Sequence, residues 1–208
     1  KKIKKEIILI GNFNLIKEQF KKLKIKIKIL KVVNFDDIKS NNDLKIFDVP
    51  VTFKNPFAVE EKKASNYLFN CLKLADKLAR SKKVKGIINC PIDKKLIKKI
   101  QKPGLTEYFA SISKVPEKTE VMMIYNKKLS VVPLTTHIKI KNIPKNINKN
   151  LIITKLLSLN NNYKKIFKIK PKIGILGLNP HIGEMKNDTE EVKKIIPAIL
   201  KLKKKGVN

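Results

Sequence analysis

The chain has 208 residues, 42% of them hydrophobic, which is enough for a packed core. It carries 48 Lys and Arg against 17 Asp and Glu, a formal net charge of +31. No apolar run reaches 18 residues, which excludes a transmembrane helix, and Ile7–Ile10 is too short for the apolar part of a signal peptide. The charge invites a nucleic-acid reading, and a basic nucleic-acid-binding module is the rival from another class. Against it, Arg80 is the only arginine, and a base reader or phosphate clamp favours arginine's bidentate fork. The lysines run along the whole chain beside abundant Asn and Ile, the residue drift of an AT-rich genome. The charge is therefore read as solvated surface. Cys71 and Cys90 lack metal-type spacing and fit a reducing cytoplasm.

Glu6–Gly11 reads as a strand and Leu15–Leu23 as an amphipathic helix. Lys24–Val33 alternates Lys and Ile, the period of a strand with one wet face. This β-α-β opening predicts a parallel sheet, hence an α/β fold. Asn34–Asn55 reads as irregular, with a possible edge strand at Val49–Val51. Pro56–Arg80 is the longest helix candidate. Val84–Asn89 reads as a strand, followed by a Cys90–Lys94 loop and a short helix over Lys94–Ile100. After Pro103-Gly104, Thr106 is placed to cap a helix ending near Ser113. Glu120–Tyr125 and Leu129–Val132 read as paired strands, and Asn150–Phe167 as a helix. Lys172–Leu178 reads as a central strand, and Glu190–Lys205 as a closing helix interrupted at Pro197. Gly206 suits a helix C-cap. The absence of an initial methionine and this abrupt end lead us to expect a chain cut at both ends, with the segment alone inactive.

Dinucleotide, Walker, nucleophile-elbow and zincin signatures are absent. The only two histidines each follow an apolar strand-like run: His137 after Leu129–Thr136, and His181 in Gly177-Leu178-Asn179-Pro180-His181-Ile182-Gly183-Glu184. In open α/β sheets ligands bind at strand C-termini. Two histidines are one ligand short of the three that catalytic zinc-type sites use. Each is read either as a metal ligand or as a loop histidine. Glu184 and Asp188 are candidates to orient a ligand histidine or to cap the next helix. Asp188 and Glu191 form a capping-box pattern, which favours the cap for Asp188. Lys94 is read as a phosphate or substrate contact, or as simply solvated. Cys90 is read as a small buried residue.

The order of motifs narrows these options. Val84–Lys94 resembles a strand ending in a Pro-Ile-Asn-Lys loop, with Asp93 for the asparagine. Gly104-Leu105-Thr106-Glu107 resembles Gly-His-Thr-Glu. Thr135-Thr136-His137-Ile138-Lys139-Ile140 resembles Thr-Thr-His-x-x-Leu, and Gly177–Glu184 resembles Gly-Leu-Asn-Pro-His-Ala-Gly-Glu. In this order they resemble the 4-hydroxythreonine-4-phosphate dehydrogenase family of pyridoxal phosphate biosynthesis. The resemblance is strong over about 84–208 and weak over about 1–83, and the whole chain reads as one partial dehydrogenase fold. It implies an α/β/α layered sheet similar to the isocitrate and isopropylmalate dehydrogenases. It implies NAD(P)-linked oxidation and decarboxylation of 4-phosphooxy-L-threonine to 3-amino-2-oxopropyl phosphate. It also implies a cytoplasmic homodimer with the site at the subunit interface, and a divalent metal (Zn, Mg or Co) on three histidines.

His137 and His181 match two of those three ligands. Thr106 and Lys94 match substrate-binding positions. Leu105 stands where the family has a substrate histidine, and leucine cannot hydrogen-bond through its side chain. A related dehydrogenase for another hydroxy acid is therefore the alternative enzyme reading. The family's opening Gly-Asp-Pro stretch, the glycines after His181 (here Met185-Lys186-Asn187) and the third metal histidine are not found.

Overall fold

A computed structural model describes residues 6–38, 43–98, 104–181 and 187–208. The chain divides into two compact units, Lys1–Gln101 and Lys102–Asn208.

The first unit holds a three-stranded parallel sheet of β1 (Ile8–Gly11), β2 (Ile29–Val32) and β3 (Leu44–Asp48), in the order β1-β3-β2. Helix α1 (Phe13–Lys22) follows β1 directly. Asn12 caps it, accepting the Leu15 N–H at 2.9 Å. The expected β-α-β opening and parallel sheet are present, and the molecule is α/β. The central strand, however, is β3, inside the stretch read as irregular, while Val49-Pro50-Val51 forms no strand. Its sequence Leu44-Lys45-Ile46-Phe47-Asp48 hides a central strand because Lys45 interrupts the apolar run. Lys45 is nevertheless buried, and its ammonium pairs with Glu6. A buried lysine is tolerable only with such a partner. Of the alternating Lys24–Val33 stretch only Ile29–Val32 enters the sheet; Ile25 and Ile27 stay exposed.

Helix α2 (Glu61–Arg80) turns Leu72, Ala75 and Leu78 inward. Val84–Asn89 forms no ladder, and Ile88 is 89% exposed. The short helix after it is a 3-10 turn, Lys94–Ile97, capped by the Asp93 carboxylate on Lys95 N–H at 2.8 Å. Cys90 is exposed rather than buried.

The second unit contains α3 (Leu105–Ile112), the short α4 (Ile143–Asn146), α5 (Lys149–Phe167) and α6 (Ile196–Lys204). Helix α6 packs on α5. Ile152, Ile153 and Leu156 meet Ile195, Ala198 and Leu202 in its core. Asn148 caps α5 through Leu151 N–H at 2.9 Å. The closing helix is broken as expected near Pro197: Glu191–Ile195 is a π-turn, and Pro197 sits in the first turn of α6, where its missing N–H costs nothing. Gly206 ends α6 with φ +73, and Val207 N–H reaches Leu202 O at 3.1 Å, a Schellman closure.

The two paired strands expected over 120–132 reduce to a single antiparallel bridge, Ile124 with Val131. Lys172–Leu178 is not a strand; Ile173 N–H bonds to Asn208 O at 3.0 Å, and Leu176 is 88% exposed. Apolar runs read as central strands, but a strand also needs a neighbour to hydrogen-bond. No helix among the described residues is long and apolar enough to cross a membrane.

Candidate functional site

The second unit collects four of the five expected site residues. Leu105 opens α3, and Gly104, not Thr106, occupies the cap position; Thr106 is the second helical residue. The correction has a simple cause: the cap must be extended, and Gly104 has φ −163. Thr106 is exposed and lines a groove of about 380 Å³ between α3 and α5, together with Phe109, Met123, Leu159 and Tyr163. Leu105 is half-buried.

Structure adds a residue that the sequence reading passed over. One carboxylate oxygen of Glu107, Oε2, is buried without a hydrogen-bond partner among the described residues. A Cβ built on Gly104 would lie 3.0 Å from this oxygen and 3.7 Å from His137 Nε2. The Gly-Leu-Thr-Glu motif and the Thr-Thr-His motif, separate in sequence, thus converge at one point. An unpartnered buried carboxylate oxygen is costly unless a cation or donor completes it.

Both histidines adopt left-handed backbone, His137 at φ +58 and His181 at φ +53. Few non-glycine residues do so, and the conformation costs roughly 1–2 kcal/mol per residue. The other positive-φ side-chain-bearing residues described are lysines. Lys24, Lys82, Lys114 and Lys168 follow the ends of α1, α2, α3 and α5, where such a residue is ordinary, and Lys118 sits in a surface turn. The histidines end no helix. Backbone strain of this kind is kept at functional loops as well as in surface turns such as that of Lys118. Both side chains are exposed.

The His181 loop is anchored from behind. The buried carboxylate of Glu191 accepts Leu178 N–H at 2.7 Å, Asn179 N–H at 2.8 Å and the Asn179 side-chain amide at 3.0 Å. Glu190 accepts from the same amide at 3.2 Å. The Asn179 amide above all, aided by the backbone donors, holds the Glu191 carboxyl down at about 2. The expected capping box is therefore not formed in that way. Thr189 Oγ1 accepts Val192 N–H at 3.4 Å, Asp188 pairs with Lys193, and Glu191 turns back to the loop. Glu184 and Gly183 lie outside the described residues.

The donor set suits a divalent cation in part. His137 offers an imidazole nitrogen and Glu107 an orphan oxygen, both acceptable to a borderline-hard ion. Among the described residues no group of three or more His, Cys, Asp and Glu is assembled.

Lys94 lies in the first unit, exposed at the start of its 3-10 turn. That unit has its own polar cluster, also missed by sequence reading. At the C-terminal ends of β1 and β3, Asp48 accepts Phe13 N–H at 2.8 Å and pairs with Lys31 at 2.8 Å. Tyr67 Oη accepts Asn12 N–H at 2.7 Å. Burial pushes the Tyr67 phenol up, and it pushes the neighbouring Cys71 thiol up to about 11, so neither ionises near neutrality. A Cβ on Gly11 would meet Ile16 Cδ1 at 2.8 Å and Tyr67 Oη at 3.0 Å, so any larger residue there would have to displace the Ile16 side chain. Sequence spacing held no signal for the cluster, since its members come from β1, β3 and α2.

A parallel sheet flanked by helices, and a left-handed histidine beside the Gly-Leu-Thr-Glu helix start, define a protein of the α/β class. The family model for pyridoxal phosphate biosynthetic protein PdxA matches residues 3–208, and the chain belongs to that family. The match includes the first 83 residues, where the motif resemblance was weak. The chain is 35% identical over 207 residues to the 4-hydroxythreonine-4-phosphate dehydrogenase of Aquifex aeolicus, covering 96% of this chain and 62% of the relative. It is 38% identical over 187 residues to that of Sulfurihydrogenibium sp., covering 84% and 56%. A more distant relative, the D-threonate 4-phosphate dehydrogenase of Pectobacterium atrosepticum, is 27% identical over 173 residues, covering 79% and 52%. The crystal structure of a 4-hydroxythreonine-4-phosphate dehydrogenase from Burkholderia phymatum superposes with a TM-score of 0.80 at 26% identity, over 96% of this chain and 62% of that one. The chain spans less than two thirds of the length of these curated relatives.

Proposed function

We propose that this chain works in a 4-hydroxythreonine-4-phosphate dehydrogenase. The reaction is NAD(P)-linked oxidation of 4-phosphooxy-L-threonine, with loss of carbon dioxide to give 3-amino-2-oxopropyl phosphate. The acting species is a homodimer, and both units enter one α/β/α fold of the isocitrate dehydrogenase type. One observation carries the reading: His137 Nε2 and the orphan Glu107 oxygen converge beside Gly104, next to Leu105 and Thr106. That puts a metal-type donor against the motif that the family resemblance assigns to substrate.

In this reading His137 and His181 hold the divalent cation, with Glu107 as the carboxylate beside it. Bound there, the ion supplies Lewis-acid polarisation of a substrate hydroxyl. Thr106 offers a hydroxyl that can donate and accept at the groove. Leu105 contributes apolar contact only. The test is turnover of 4-phosphooxy-L-threonine by the full-length protein with NAD or NADP, followed by reduced nicotinamide absorbance and carbon dioxide release. Both signals are expected together.

Leu105 favours a second reading, a dehydrogenase of another phosphorylated hydroxy acid; the Pectobacterium relative carries a name of that kind. Oxidation of D-threonate 4-phosphate, with 4-phosphooxy-L-threonine left untouched, would replace the first reading with this one.

A further inference from the structure

Glu191 is the most heavily engaged carboxylate among the described residues of the second unit, and no step of the proposed reaction uses it. Its two oxygens take three hydrogen bonds from Leu178 and Asn179, and the residue is 2% exposed. The next residue, Pro180, has a ring-fixed φ, and a proline also restricts the residue before it to extended backbone. From Leu178 to Pro180 the chain therefore has little freedom left. His181 follows at once, in a left-handed conformation that it would not choose on its own.

We propose that Glu191 is a positioning residue that pins the Leu178–Pro180 backbone and thereby holds His181 in its left-handed, outward-presented geometry. The π-turn Glu191–Ile195 supports this role. Its wider winding begins at the residue that must reach back to the loop, and such turns are frequently found at functional positions. The inference rests on the proposed function only for the consequence that His181 is a ligand; the backbone effect stands apart from it.

The experiment uses the full chain and two readouts. The first is the His181 backbone φ without metal, from its HN–Hα coupling and Cα shift. The second is the affinity for Co2+ alone, from line broadening of the His137 and His181 ring resonances. Glu191→Ala is expected to shift His181 toward extended φ and to weaken Co2+ by about 10- to 100-fold, the usual effect of losing a group that orients a ligand. Glu191→Gln keeps an oxygen for the two backbone donors, and the Asn179 amide can turn to accept from it. It should retain the left-handed signature and most of the affinity. Should Glu191→Ala not fold, Asn179→Asp decides, because it sets a third carboxylate against Glu190 and Glu191 and should release the loop. A left-handed His181 signature that persists in Asn179→Asp, or in folded Glu191→Ala, overturns the positioning role. Ring resonances that ignore Co2+ in the unmodified chain overturn the metal reading instead, while the φ readout still tests Glu191.

Discussion

Glu107 Oε2 and His137 Nε2 both lie within 4 Å of one point beside the Gly104 backbone, and that oxygen has no hydrogen-bond partner among the described residues. A buried unpaired acceptor opposes folding and favours a cation. Glu107→Gln should therefore separate the two effects. Thermal stability should hold or rise slightly, whereas Co2+ affinity should fall by about tenfold. Calorimetric titration and a melting curve on the same sample measure both, and unchanged affinity would remove Glu107 from the site.

The Glu191 carboxyl is held at about 2, below its ordinary 4.5. A carboxyl depressed by folding adds stability that is fully present above its unfolded value and is lost as pH falls through the folded one. Acid destabilisation is thus expected as pH drops from about 4.5 toward 2. Glu191→Gln should lose that component, giving a flatter curve over this window. Denaturant melts across the pH series provide the comparison, and parallel curves for the two proteins would contradict the assignment.

Tyr67→Phe removes the acceptor of Asn12 N–H at the start of α1. Leaving a part-buried donor unpaired should cost about 1–3 kcal/mol in urea unfolding. Gly11→Ala should also destabilise, since its Cβ would have to displace Ile16 Cδ1 from 2.8 Å. Little change in either variant would mean the cluster contributes nothing to the first unit.

Ile152 is 1% exposed and Ala198 is fully buried, in one core shared by α5 and α6. Ile152→Ala should cost roughly 2–5 kcal/mol by opening a cavity. Ala198→Leu should cost roughly 1–3 kcal/mol by overpacking. Both are read from chemical denaturation of the second unit's transition.

Under the proposed reaction, Leu105→His places at the first residue of α3 the histidine that the family resemblance implies there. A charge-assisted hydrogen bond is worth roughly 1.5–3 kcal/mol, so the KM for 4-phosphooxy-L-threonine should drop by about tenfold or more. A KM that stays put, with kcat also unchanged, would show that position 105 does not meet the substrate.

Helices were largely legible in this chain because their signals are local. The apolar faces of α2 and α5 and the Gly206 cap can be read from residues a few positions apart; the start of α5 shifts by one residue, to follow the Asn148 cap, whereas α2 begins at Glu61 rather than at Pro56. Strands were less legible. Val84–Asn89 and Lys172–Leu178 have the composition of buried strands yet form no ladder among the described residues, whereas β3 forms the sheet centre with a lysine inside it. Pairing depends on a partner distant in sequence, and so does the ion pair that lets Lys45 be buried.

By itself the sequence determined the α/β class, the helix positions and the order of motifs that marks the family, because those depend on residue type and short spacing. Only the tertiary structure decided that Glu107 and His137 both come close to Gly104, that both histidines are left-handed, and that Glu191 abandons its helix start to hold the His181 loop. Each of these depends on which groups are brought within hydrogen-bonding or van der Waals reach across the fold, a relation that spacing along the chain does not encode.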